Sequence, residues 1–216
     1  MQAAAAHPDL HDETRDRILS SAGQIFAEEG FQSATVRAIC EKAQVNVAAV
    51  NYHFGDKLAL YTEVLKLSMR HERPLPDAAD PVVALRQYIG NMIARLLGTG
   101  EDAWRVHLMA KEMAQPTPAL RSVVDQTIRP KMEWLRRVIA AITGLPADDD
   151  RVARAVFSVV AQCVSYRTCS PVLRQLWPWV EYTPEEIERI AAHIADFSLR
   201  GIEGMKALNT EGSSGE

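Results

Sequence analysis

The sequence predicts an all-α protein in two parts, on three observations. Apolar residues recur three and four positions apart along nearly the whole chain, and no run sustains the alternation of a strand. The breaks between runs carry helix-ending Gly or Pro and helix-opening Ser, Thr, Asp or Asn. With 216 residues, 47% of them apolar, the chain can fill one large core or two modest ones.

The elements follow in order. Ile18, Ala22, Ile25 and Phe26 share one helical face after Asp12 and Thr14 as N-caps, and Gly30 suits a left-handed end to that first helix. Thr35 opens a short second helix with Val36, Ile39 and Cys40 at i, i+3 and i+4, ending near Ala43. Gln44 to Asn46 is a three-residue turn, and Asn46 caps a third helix, "VAAVNYHF". Two short amphipathic helices across a tight turn, braced by a third, make a helix-turn-helix. A fourth helix begins near Asp56 and ends before "RPLPDAADP", where three prolines in nine residues break the chain.

Beyond the break, Asp80-Pro81 opens a helix to about Leu97, and "EDAWRVHLMAKEMA" forms another. Thr117-Pro118 opens a long helix to about Thr143, with a kink expected at Pro130. Asp148 to Cys169 and Thr183 to Met205 complete the set, the last with Thr183, Pro184 and Glu186 as a capping box. Residues 1–12 read as a flexible arm and 208–216 as a disordered polar tail.

Helix three poses a physical question. About two turns long, it is too short to persist alone, because isolated helices under about 12 residues are marginal in water. Val50 and Phe54, four apart, can face inward with Val47 or Val45 to hold it. Its outward side is then Ala48, Ala49, Asn51, Tyr52 and His53, which is small, uncharged and supplied with hydrogen-bonding tips. Small side chains permit close approach to a groove, and methyls, amides and hydroxyls contact base edges or phosphates. Positive charge lies nearby on Arg37, Lys42, Arg15, Arg17 and Lys57, and the Thr35 hydroxyl and the first N–H groups of helices two and four add phosphate donors. Double-stranded DNA is the expected partner. The evidence is this placement and not the overall charge, since residues 1–72 hold seven Lys and Arg against ten Asp and Glu.

Composition argues against other classes. No 18-residue apolar run is present to span a membrane, and the N-terminus lacks a signal-peptide pattern, so no membrane association and a cytoplasmic address are expected. Cys40, Cys163 and Cys169 form no C-x-x-C pair, and His7 and His11 have no third ligand in sight, so no metal and no disulfide scaffold are expected. No Gly-rich phosphate loop or other cofactor motif appears, and no cofactor is expected. His107, Glu112 and Cys163 are the materials of a Cys-His site, yet no nucleophile signature surrounds them and Cys163 sits in an apolar helix, where a thiolate is disfavoured. A helical enzyme, a small-molecule-binding protein without regulatory DNA binding, and an adaptor bundle remain the alternatives. The adaptor bundle does not account for the face at 48–53.

Residues 14–65, above all "AEEGFQSATVRAICEKAQVNVAAVNYHFGDKLALYTEVL", resemble the DNA-binding domain of the TetR family of bacterial transcription regulators. Ala48 stands where many members carry Gly, and Asn51 where many carry Tyr. The resemblance implies operator contacts at Thr35, Arg37, Ala48, Ala49, Asn51, Tyr52, His53 and Lys57. "HLMAKEMAQPTPALRSVVDQTIRP", "AQCVSYRTCSPVLRQL" and "YTPEEIERIAAHIADFSLRGI" resemble the C-terminal domain of the family's CecR branch, which is associated with drug-sensitivity and efflux-related genes. The implied layout is a helix-turn-helix DNA-binding domain with its connecting helix at 13–72, and a larger regulatory and dimerisation domain at 73–207. The implied activity is that of a repressor released from a palindromic operator by a small-molecule effector.

Two sets of residues in the second part are singled out. Trp104, Arg105, His107, Met109 and Glu112, with Gln162, Cys163, Tyr166 and Arg167, are polar or aromatic groups embedded in apolar helices, and are the candidates for an effector site for a mainly apolar or aromatic molecule. Each is equally a candidate for plain helix packing. Ile187, Ile190, Ile194, Phe197 and Gly201 are spaced 3, 4, 3 and 4, the interval of a helix-helix seam, and Val152, Val156 and Val159 lie on a helix apolar on more than one side. Such faces fit burial within a large core or against a second subunit, and the resemblance to the TetR family implies the latter, a homodimer through the last two long helices with these residues as its interface.

Overall fold

The computed structural model describes residues 8–69, 74–98, 100, 103–178 and 180–212, with side chains from 12 to 205 among them. Eleven α-helices and one π turn make up the regular structure of the described residues, and no strand occurs among them. In order they are α1 (Pro8–Ser33), α2 (Val36–Ala43), α3 (Val47–Phe54), α4 (Lys57–Met69), α5 (Pro81–Leu97), α6 (Ala103–Ala114), α7 (Ala119–Val123), the π turn Val124–Ile128, α8 (Arg129–Thr143), α9 (Asp150–Thr168), α10 (Ser170–Leu176) and α11 (Pro184–Gly212). Among the described residues no helix is long and apolar enough to cross a membrane.

Several expected boundaries shift for physical reasons. Helical geometry begins at Pro8, inside the expected arm, because Pro is tolerated in a first helical turn. Gly30 stands at φ 81° within α1 and breaks it, so that Phe31–Ser33 form a separate short turn. Pro130 has no N–H to donate, and the backbone meets it by widening into the π turn at Val124–Ile128 instead of kinking at Pro130 itself. At the far end α11 continues to Gly212, so residues 208–212, expected to be tail, are helical, and 213–216 lie outside the described residues.

The chain forms two compact units. One comprises α1–α4 with α6, α7 and the π turn, and the other α5 with α8–α11. In the first, Ile18, Phe26, Ile39, Val50, Leu60, Tyr61, Val64, Leu65 and Leu108 are fully or almost fully buried in one core. Phe26 meets Tyr61 edge-on at 4.8 Å between centroids. Helix α6 joins this unit by close approach to α1: a Cβ placed on Gly23 would lie 2.4 Å from the Trp104 ring, so glycine makes the notch that the indole fills.

Glu112 of α6 is the unit's buried carboxylate. Its Oε2 accepts from the Tyr61 hydroxyl at 2.9 Å, and its Oε1 accepts from the Thr117 N–H at 2.8 Å and hydroxyl at 3.0 Å. Three donors offset much of its desolvation, and they tie α4, α6 and the start of α7 together.

The second unit packs α5 against α8, α9 and α11. Leu85, Ile89, Ile93, Leu135, Ile139, Val152, Cys163 and Ile194 form its interior. Asp80, Asp149 and Thr183 cap α5, α9 and α11 through side-chain oxygens.

Candidate nucleic-acid interface

Both helices of the helix-turn-helix are capped from within. The Thr35 hydroxyl oxygen accepts from the Ala38 N–H at 3.1 Å, and Asn46 Oδ1 accepts from the Ala49 N–H at 2.8 Å. Between the helices Gln44 takes the left-handed conformation at φ 55°, and its N–H closes back on the carbonyls of α2. Gly55 at φ 84° then turns the chain sharply, and Asp56 caps α4 at the Ala59 N–H, 2.7 Å away.

Val50 and Phe54 are buried and fix α3 to the core, as their spacing predicts. Val45 packs beneath it, whereas Val47 points outward. Ala48, Asn51 and Tyr52 are exposed, the tyrosine at 75%, while Ala49 and His53 are half-buried. The free face is thus narrower than the five residues expected: it is centred on Ala48, Asn51 and Tyr52, with Ala49 partly resting on the core. Tyr52 and His53 meet edge-on at 5.3 Å between ring centroids.

The surrounding cations are held in different ways. Arg37 pairs with Glu41 at 3.0 Å on an open surface, an interaction readily exchanged for a phosphate. Lys57 donates to the Gln32 carbonyl at 3.2 Å and lies over the Phe31 ring, 4.8 Å from its centroid. Arg15 is spent on protein contacts, 3.4 Å from Glu63 and 5.4 Å from the Phe54 centroid. Lys42 and Arg17 are exposed.

The effector-site candidates divide between the two units. Trp104, Arg105, His107, Met109 and Glu112 lie on α6 in the first, where Trp104 fills the Gly23 notch, Met109 leans on the core and Arg105 stacks on Trp104 at 5.5 Å. His107 is exposed. Gln162, Cys163, Tyr166 and Arg167 lie on α9 in the second. Gln162 donates to Ser198 of α11 at 3.2 Å, and the Tyr166 carbonyl accepts from the Tyr182 hydroxyl at 3.1 Å. Burial pushes the Cys163 thiol up to about 12, which keeps it protonated and unreactive.

A second polar and aromatic group inside this unit escaped the sequence reading. Tyr88 of α5 and Trp134 of α8 stack at 5.5 Å between centroids. Arg95, seven residues beyond Tyr88 on α5, acts on Lys131, three residues before Trp134 on α8. Burial first, and Arg95 second, push the Lys131 ammonium down to about 8. The i, i+7 and i, i+3 spacings were the available signal. They pass for ordinary amphipathic helix until the two helices are laid side by side.

The expected dimer seam is largely turned inward. Val152, Val156, Val159, Ile190 and Ile194 are buried within the protomer, and Ile187 is half-buried. Apolar periodicity marks a covered face without saying whose helix covers it, and here α5 and α8 do so. Phe197 and Gly201 are exposed. Among the described residues, Phe157 and Val164 on α9 and Phe197, Gly201 and Gly204 on α11 are exposed, Phe157 at 74% and Phe197 at 64%.

Comparison with known proteins agrees with this architecture. Residues 18–64 match the family of bacterial regulatory proteins, tetR family, and residues 81–202 match the C-terminal domain of the HTH-type transcriptional dual regulator CecR. The chain is 34% identical over 208 residues to the HTH-type transcriptional repressor NicS of Pseudomonas putida, covering 88% of this chain and 93% of that one. It is 26% identical over 211 residues to CecR of Shigella flexneri, with the same coverage. Among solved structures, the regulator FadR of Bacillus subtilis in complex with stearoyl-CoA shares the fold, at TM-score 0.66 and 16% identity over 86% of this chain and 98% of that one. A helix-turn-helix head with a CecR-type domain over more than half its length places the chain in the TetR family of bacterial DNA-binding transcription regulators.

Proposed function

We propose that the chain is a homodimeric repressor that reads a palindromic operator through α3 and leaves it when a small molecule binds. The observation that carries this reading is the face of Ala48, Asn51 and Tyr52, exposed on a helix that Val50 and Phe54 pin to the core. Thr35, Arg37, Ala49, His53 and Lys57 surround that face, and the groups among them that can donate are suited to phosphates. Two copies of α3 about 34 Å apart read successive major grooves, which requires a two-fold dimer. The exposed apolar residues of α9 and α11 support dimerisation through those helices.

Repression is supported by the likeness to NicS, a repressor. An effector with an apolar body is supported by FadR, whose structure holds stearoyl-CoA, and by the Tyr88–Trp134 pair inside the second unit. Arg95 and Lys131 beside that pair favour an anionic end on the same molecule. The test is retardation of the gene's own upstream DNA by purified protein. A specific complex should weaken steeply with salt, log affinity falling by about 0.9 per phosphate contact for each tenfold rise, and should dissociate on adding acyl-CoA thioesters of graded length.

A further inference from the structure

Lys57, the first residue of α4, is held in place without a carboxylate. Its Nζ donates to the Gln32 carbonyl at 3.2 Å and stands 4.8 Å from the centroid of the Phe31 ring, and among the described residues no Asp or Glu pairs with it. Arg37 and Arg15, by contrast, are matched with Glu41 and Glu63. A carbonyl and a ring face hold an ammonium without cancelling its charge. An ammonium has three N–H donors, so one bond to Gln32 leaves others for a phosphate.

The break in α1 makes this cradle. Gly30, at φ 81°, turns the chain out of the helix, and the Ala34 N–H closes the turn on the Gly30 carbonyl at 3.2 Å. That turn brings Phe31 and Gln32 to the start of α4, although Gln32 and Lys57 are 25 residues apart in sequence. Phe31, half-buried, packs in turn on Tyr61 at 4.8 Å between centroids, and Tyr61 lies one helical turn beyond Lys57 on the same face of α4. Tyr61 is buried and its hydroxyl is fixed to Glu112 at 2.9 Å. The ring beneath the ammonium is thereby tied to the core.

We infer that Phe31 is a positioning residue for DNA binding: its ring face, with the Gln32 carbonyl, preorganises Lys57 for a backbone phosphate beside the groove that α3 enters. The inference rests on the reading of the chain as an operator-binding regulator and deepens it, by assigning part of the affinity to a ring that acts only through Lys57. A free lysine side chain loses rotamer entropy on binding a phosphate, and one already held loses less, so the contact is stronger. The contribution is to affinity and salt dependence, because a phosphate contact carries no base identity.

A double-mutant cycle on operator affinity, read by retardation of the gene's own upstream DNA at several salt concentrations, tests it. Lys57→Gln should weaken the complex and reduce the salt slope by about 0.9, the contribution of one phosphate. Phe31→Leu, which keeps apolar bulk and removes the ring face, should weaken binding by about two- to fivefold in the parent, the range for one exposed cation–π contact, and should have no further effect in the Lys57→Gln background. Phe31→Tyr, which keeps the ring, should bind as the parent does. Thermal melting of each preparation checks the fold, and Phe31→Met takes the place of the leucine variant should that one melt below the assay temperature. Equal losses from Phe31→Leu in both backgrounds would make Phe31 a packing residue only, and parental affinity in Phe31→Leu would show that the ring positions nothing; either result overturns the inference and leaves the operator reading intact. A parent chain that forms no salt-sensitive complex contradicts the operator reading itself, and the inference falls with it.

Discussion

Tyr61 and Glu112, 51 residues apart, are joined by a 2.9 Å hydrogen bond in the core of the first unit, so that α4, which follows the recognition helix, is anchored to α6. Removing one donor from a buried carboxylate costs about 1–3 kcal/mol. Tyr61→Phe is therefore expected to lower the urea midpoint with little change in helix content. A variant as stable as the parent would show that the contact contributes nothing.

Ala48→Glu is expected to abolish operator binding while leaving stability within about 0.5 kcal/mol, as exposed substitutions generally do. The residue is open to solvent, and the substitution adds a carboxylate where phosphate and base edges must approach. Ala49, half-buried against the core, is the poorer probe because it confounds contact with packing. Retardation and thermal melting of the same preparation check both halves. Operator affinity near the parent's would remove α3 from the groove.

Phe157→Glu and Phe197→Glu are each expected to convert dimer to monomer by sedimentation with the fold retained, since both rings face outward. Ile194→Asp should instead unfold the second unit, because Ile194 is 1% exposed and a buried carboxylate there has no partner. Intact dimers in both phenylalanine variants would move the interface away from α9 and α11.

Lys131 supplies a pH-dependent prediction. Its ammonium titrates near 8 in the folded chain, against an ordinary lysine value of 10.5 once unfolded, so the protonated form opposes folding. The cost is full below about pH 8 and is relieved as pH rises towards 10.5, where the unfolded chain still holds a proton that the folded chain has lost. Lys131→Met should thus raise stability at pH 7 by about 1–2 kcal/mol, allowing for solvent screening of a half-buried group. The gain should fade by about pH 10. Denaturant unfolding at both pH values checks it, and an equal gain at both would contradict the sign.

Local features were the most legible in sequence. Thr35, Asn46 and Asp80 announce their helices because a cap is a contact between near neighbours, and Val50 and Phe54 declare the inner face of α3 by spacing alone. Long-range relations were hidden. Nothing local tells that Trp104 seeks the gap at Gly23, or that the α6 candidates belong with α1 and α4 while those of α9 belong to another core. Ile190 and Ile194 carry the same periodicity as a dimer seam because burial by one's own chain and by a partner select the same side chains.

The most direct test of operator reading by paired α3 helices is a quantitative footprint of the purified protein on its upstream DNA, with stoichiometry measured on the same fragment. Two chains per site and two protected half-sites with centres about one helical turn apart are predicted, all lost in Ala48→Glu. A complex that persists in that variant, or protection by a single chain without two-fold symmetry, would contradict it.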